Sequence, residues 1–162
     1  MKVRVFTANP EEDSREIELL LREVYVGGGF TEAIVADFMF AAASVIGRGH
    51  VMIARDLETQ ELAGMVVVVA ATSAARRFAN SGEVEMQLLA VAPAFRRLGV
   101  GDLLVTSALD FARAAGAGKM ILWTQSAMTD AQRLYQRHRF ERTPVRDFER
   151  SGRQFLVFER SL

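Results

Sequence analysis

Apolar and polar positions alternate at the start of the chain, through Val3, Val5 and Thr7, and the alternation stops at Asn9-Pro10. A period of two predicts a half-buried strand followed by a turn. The acidic stretch Glu11-Glu12-Asp13-Ser14 can then open a helix, because negative charge suits the free amides of a first helical turn. Ile17, Leu20, Leu21 and Val24 recur at helical spacing until Gly27-Gly28-Gly29, where three residues without a β-carbon cannot sustain a helix. From Thr31 the apolar positions Ile34, Val35, Phe38, Met39 and Ala42 predict a second amphipathic helix, stopped around Gly47-Arg48-Gly49.

The pattern then changes to strands. His50 to Arg55 is the first, the polar run Asp56 to Gln60 turns it back, and the valine-rich segment Leu62 to Ala71 is its long apolar partner. After the polar segment Ser73 to Gly82, the run from Glu83 to Val91 reads as a strand ended by Pro93. A basic, glycine-containing loop leads into a helix whose apolar face is Leu103, Leu104, Ala108, Phe111 and Ala115, ended by Gly116-Ala117-Gly118, and Met120 to Trp123 supplies the next strand. Thr129 or Asp130 can cap a short helix carrying Leu134 and Tyr135. Phe140 to Phe148 and Arg153 to Glu159 predict a closing pair of strands around Arg150-Ser151-Gly152. This order predicts an α/β fold, a mixed central β-sheet flanked by α-helices. With no repeat, low-complexity tract or proline-rich linker to divide it, residues 1–162 are expected to form a single domain.

Composition narrows the function. Half of the 162 residues are hydrophobic, ample for one core. The 20 basic and 20 acidic residues cancel, so there is no general pull toward nucleic acid or an anionic membrane and any anion site must be local. The chain has no cysteine, which removes disulfides, thiolate metal sites and thiol nucleophiles and agrees with a cytoplasmic location. The N-terminus has no apolar stretch followed by a small-residue cleavage site, so no secretory signal is expected. The apolar run from Leu62 is far shorter than the roughly 20 residues that span a bilayer. His50 and His138 fall in different elements with no acids in ligand spacing, and no metal is assigned.

The informative segment is Arg96-Arg97-Leu98-Gly99-Val100-Gly101-Asp102, between a strand and a helix start. Glycines there let backbone N–H groups approach a ligand, and the free amides of the first turn favour a pyrophosphate. The same letters also fit a tight connection with solvated arginines. A P-loop would need Gly-Lys-Ser/Thr where this chain has Gly101-Asp102-Leu103. A dinucleotide fingerprint would need a glycine at Leu104 and an acid after the next strand, where Thr124-Gln125 stand.

The run from Glu85 to Leu104 resembles the motif of the GNAT superfamily of N-acetyltransferases, in which a strand ending near V-x-P leads to Q/R-x-x-G-x-G/A and a helix. Arg96, Gly99 and Gly101 match it, and Ala131, Leu134, Tyr135 and Phe140 resemble the second motif, A-x-x-L-Y-x-x-x-G-F. Met128 stands where the family often has asparagine, and Arg139 where it usually has glycine. The resemblance covers roughly residues 50 to 160. It implies a GNAT-like fold and direct transfer of an acetyl group from acetyl-CoA to a small-molecule or peptide amine, without a covalent enzyme intermediate. A non-catalytic acyl-CoA-binding or sensor domain is the alternative, and homodimers are common among relatives. It further implies cofactor binding by Leu89, Ala90, Val91 and by Arg96, Arg97, Leu98, Gly99, Val100, Gly101 and Asp102. Tyr135 is then the candidate acid for the departing thiolate. Glu85, and next Glu83, are the candidate bases, with a water chain as the alternative, on a strand face expected to be shared with Gln87, Leu89 and Val91.

Overall fold

The structure, a computed structural model, describes residues 1–162. Its helices are α1 (Pro10–Leu21), α2 (Ala33–Met39), α3 (Ala42–Ile46), α4 (Val100–Ala114) and α5 (Thr129–Arg137). Its strands are β1 (Val3–Thr7), β2 (His50–Asp56), β3 (Leu62–Ala70), β4 (Glu83–Val91), β5 (Lys119–Gln125), β6 (Glu141–Arg142), β7 (Phe148–Arg150) and β8 (Arg153–Ser161). They form one sheet in the order β1-β2-β3-β4-β5-β8-β6, with β7 pairing onto β8. Neighbours are antiparallel except β4 and β5, which run parallel because α4 crosses the sheet between them.

Two core layers sandwich the sheet. Leu104, Val105, Ala108, Leu109 and Ala112 of α4, with Leu134 and Tyr135 of α5, pack on one face. Ile17, Leu20 and Leu21 of α1, with Ala36, Phe40 and Val45, pack on the other. The central strand β3 serves both, Val66 and Val68 toward α4 and Met65, Val67 and Val69 toward α1, which is why its sequence is an unbroken apolar run. Gly64 lets α4 lie close: a β-carbon there would come within 2.8 Å of the Ala90 carbonyl and of a Leu104 methyl.

Local chemistry sets the element ends. Asn9 caps α1, its side chain accepting from the Glu11 amide at 3.1 Å, and Pro10 occupies the first turn. α1 continues into a single π-helical turn, Arg22–Val26, before the glycines end it. The helix expected from Thr31 onward is instead two, broken at Phe40-Ala41. Phe40 docks into the core against Tyr25 at 5.4 Å between ring centroids, which turns Ala36, one helical turn earlier, inward with it. Ile34 and Phe38, expected on the buried face, are therefore 68% and 79% exposed. In α4 the buried stripe likewise lies beside the expected one, with Leu103 and Phe111 at its exposed rim and Phe111 stacked on His50 at 3.9 Å.

The expected closing pair of strands is interrupted, because Pro144 cannot donate to a ladder and opens a 3-10 turn that separates β6 from β7. Neither Thr129 nor Asp130 caps α5; both lie within its first turn, and Met128 at the cap position makes no side-chain bond. At its other end Arg139 itself takes the left-handed conformation, φ 62°, and the Phe140 amide closes onto the Tyr135 carbonyl at 3.0 Å.

Candidate active site

The site begins with a defect in β4. Met65 pairs with Ala90 and Val67 with Gln87, so Leu88 and Leu89 together oppose Val66 alone, and Leu88 takes φ 53°. This is a β-bulge, which bends the strand and shifts its side-chain alternation by one. The expectation that Glu83, Glu85, Gln87, Leu89 and Val91 share a face is corrected by it: Leu89 and Val91 pack with the α4 side, whereas Leu88 and Ala90 pack with the α1 side. β4 and β5 pair only from Glu83–Lys119 to Glu85–Ile121. Beyond that point the two strands diverge and the sheet splits.

A cavity of about 360 Å³ runs through the split. Its lining includes Met86 and Tyr135 from the α4 side and Phe40 and Leu88 from the α1 side, so it connects the two faces of the sheet. Tyr25, on the π-helical turn, donates its hydroxyl to the Leu89 carbonyl at 2.9 Å and braces the bulge. Tyr135 enters from α5, packed against Phe140 and Phe158. Burial raises the pKa of its phenol far above the usual value, and neighbouring Tyr25 adds to the rise. Tyr135 therefore stays protonated and able to donate across the physiological range.

Neither candidate base lines this cavity. Glu85 is 0% exposed. Its carboxylate accepts from the backbone amides of Arg77, Phe78 and Ala79 and from the Gln87 side chain, so it clamps the segment between β3 and β4 onto the sheet. Its lone pairs are already engaged with protein donors. Glu83 lies at the paired end of β4, accepting from the Asn80 amide and facing Lys119 at 3.6 Å. Gln87, one step along, does reach the cavity and donates to the Ala75 carbonyl.

The basic loop lies at the start of α4. Arg97 and Gly99 both take left-handed conformations, φ 60° and 82°. The first intrahelical bond runs from the Leu103 amide to the Gly99 carbonyl at 3.0 Å, so the amides of Val100, Gly101 and Asp102 precede the ladder and have no helical partner. Arg96 and Arg97 are exposed beside them, Arg96 within 3.4 Å of the Val91 carbonyl. Leu98 is half exposed and Val100 is buried. Gly101 passes so close to α5 that a β-carbon would meet Leu134 at 3.1 Å. The Asp102 carboxylate, an awkward neighbour for an anion, is engaged by Arg137 at 3.1 Å and His138 at 2.9 Å. Burial would raise its pKa, but the hydrogen bonds from Arg137 and His138 outweigh that and hold it below the usual value. An open row of amides, two free cations and a glycine cradle fit a pyrophosphate group. Of the three strand residues, Leu89 carries its carbonyl to Tyr25 while Ala90 and Val91 pair with Met65 and Gly64.

Comparison with known proteins decides the family. The family model described as Acetyltransferase (GNAT) family matches residues 16–140. The chain belongs to the GNAT acetyltransferases. No curated protein sequence matches it. Its fold is similar to that of PaiA N-acetyltransferase from Thermoplasma acidophilum in complex with coenzyme A, at 11% identity and TM-score 0.79 over 100% of both chains. It is similar to a Bacillus subtilis acetyltransferase in complex with CoA, at 21% identity and TM-score 0.71 over 99% of each chain. It is also similar to IAA acetyltransferase from Bacillus cereus, at 17% identity and TM-score 0.70 over 99% of this chain and 100% of that one. This GNAT acetyltransferase uses acetyl-CoA as its acyl donor.

Sequence reasoning missed Tyr25, Arg48, Gln87 and Arg153, all of which line the cavity. Only the three glycines after Tyr25 hint that the chain turns over a site there; the others carry no motif and converge from distant segments. No helix of this acetyltransferase is long and apolar enough to cross a membrane.

Proposed function

We propose that this enzyme transfers the acetyl group to a primary amine, of a small molecule or a peptide, by direct attack at the split between β4 and β5. The observation that carries the reading is the cavity through the sheet, with the protonated Tyr135 phenol at its wall and a row of free amides at the neighbouring helix start. The Val100, Gly101 and Asp102 amides with Arg96 and Arg97 would hold the pyrophosphate, and the β4 segment Leu89 to Val91 the pantetheine arm. Acetyl-CoA supplies an acyl group activated as a thioester.

The residues of the chain then divide the work. Tyr25 fixes the bulge through Leu89, keeping the split open. Tyr135 gives its proton to the departing sulfur. A primary ammonium has a pKa of about 10.4 and must lose a proton before it attacks. Arg48, Arg77, Arg150 and Arg153 on the cavity wall disfavour a further positive charge and so lower that pKa, letting water accept the proton without a dedicated carboxylate. Glu85 acts as the anchor of the cavity rim.

Release of free coenzyme A from acetyl-CoA across a panel of amines and peptides tests the reading. Replacing Tyr135 by phenylalanine should lower kcat by about 10²-fold, the scale of general acid catalysis, while calorimetry still detects coenzyme A binding. Turnover by that variant within about twofold of the parent would remove Tyr135 from the mechanism, and binding without any turnover by the parent protein would point to a sensor.

A further inference from the structure

The same cavity carries an uneven charge. Five arginines line it, Arg48, Arg76, Arg77, Arg150 and Arg153, against one carboxylate, Glu32, in a chain whose net charge is zero. Eight other lysine and arginine side chains, among them Arg55, Arg137 and Arg146, form ion pairs with acidic side chains, but none of these five does. The accumulation is therefore local and uncompensated.

Neutral contacts hold these side chains in place. Arg77 lies over the Phe148 ring at 3.7 Å and Arg150 over Phe155 at 5.1 Å. Stacking fixes the plane of a guanidinium and leaves its N–H edge free for an oxyanion. Arg48 donates to the Gln87 side chain and the Met39 carbonyl, and Arg153 to the Gly29 carbonyl and Gln125, so each retains further donors. The hairpin tip that presents Arg150 and Arg153 is a tight turn, Ser151 at φ 53° and Gly152 at φ 72°. Burial lowers the pKa of Arg48 and nearby Arg150 lowers it further; burial and then Arg77 do the same for Arg150. The three cations thus repel one another, and an anion among them relieves that repulsion.

From these positions, and resting on the acetyl-transfer reading above, we propose that the acceptor is a compact amine bearing an anionic group, a carboxylate or a phosphonate, seated on Arg48, Arg77 and Arg150, with an apolar body against Phe30, Trp123 and Phe155. The amine then points to the split. Its nitrogen lone pair forms the N–C bond to the acyl carbon as the C–S bond breaks. Of the two protons the ammonium gives up, one goes to water before attack and one after it. Tyr135 protonates the sulfur and regains a proton from solvent, so the sum is an amide, a thiol and one released proton.

The test is calorimetric titration of the coenzyme A-bound protein with matched acids and carboxamides, phenylalanine against phenylalaninamide, methionine and leucine likewise, with an aminoalkyl phosphonate as a further arm. At least one acid or phosphonate should bind about 10- to 100-fold more tightly than its neutral match, the range expected for a charged hydrogen-bonded contact, and should weaken with added salt. Arg150→Gln and Arg77→Gln, both at exposed positions, should each erase most of that difference by weakening the acid, while the carboxamide, an amine with no anionic group, is not weakened. Acids that bind no better than carboxamides, or variants that weaken both alike, would overturn the proposal. Preference for the phosphonate over every carboxylate assigns that class. Tight binding of an acid with no release of coenzyme A would leave this proposal standing and count against acetyl transfer.

Discussion

Replacing Glu85 by glutamine removes one negative charge and one acceptor from a fully buried site. The Oε2 atom now receives the Arg77 and Ala79 amides, each at 2.8 Å, and the Phe78 amide, while Oε1 receives the Arg77 amide and the Gln87 side chain, each at 3.0 Å. A glutamine oxygen can keep the first group, but its NH2 then faces donors. One hydrogen bond to a charged group, about 1.5–3 kcal/mol, is lost, and the survivors weaken, so destabilisation of about 2–4 kcal/mol is expected. Urea unfolding followed by fluorescence reads it directly, since the single tryptophan, Trp123, packs edge-on to Phe78 of the clamped segment at 5.7 Å. The pH dependence of kcat/KM read on the same variant separates anchor from base. An anchor leaves the shape of the acid limb unchanged in whatever activity survives. A variant within about 0.5 kcal/mol of the parent that has lost its acid limb would refute the reasoning and restore Glu85 as the general base.

Arg139→Gly should raise stability by about 0.5–1 kcal/mol in a denaturant titration, because glycine accepts the left-handed φ of 62° without a β-carbon clash; a loss instead would mean the arginine side chain contributes more than its backbone costs. Gly64→Ala should cost about 1–3 kcal/mol, since its β-carbon would meet the Ala90 carbonyl at 2.8 Å, and a neutral result would show that β3 and β4 shift freely. Burial raises the pKa of Tyr135 above the unfolded value near 10, so the stability it contributes is complete below pH 10 and is lost as pH rises beyond it. Thermal melts from pH 8 to 11 should therefore fall at the alkaline end, and less steeply in Tyr135→Phe; equal slopes would mean that the phenol already reaches water.

Much of this enzyme is written in local chemistry. Asn9-Pro10 starts α1, the valine run makes β3, and Gly99 with Gly101 shapes the loop before α4; each depends on backbone preferences or on a period that neighbouring residues carry by themselves. The motif residues Arg96, Gly99, Gly101 and Tyr135 were legible for the same reason. What the tertiary structure decided is how β4 leaves β5. Leu88 carries no sign that it will take a positive φ, yet the bulge there reverses the alternation and separates Glu85 from the face of Leu89. The sequence offers Glu85 as a candidate base and does not show the amides of residues 77 to 79 that its carboxylate accepts from, because backbone partners are nameless in a sequence. The arginines around the cavity come from three segments, near residues 48, 77 and 150, and only folding brings their charges together where Glu32 is the single carboxylate on the wall.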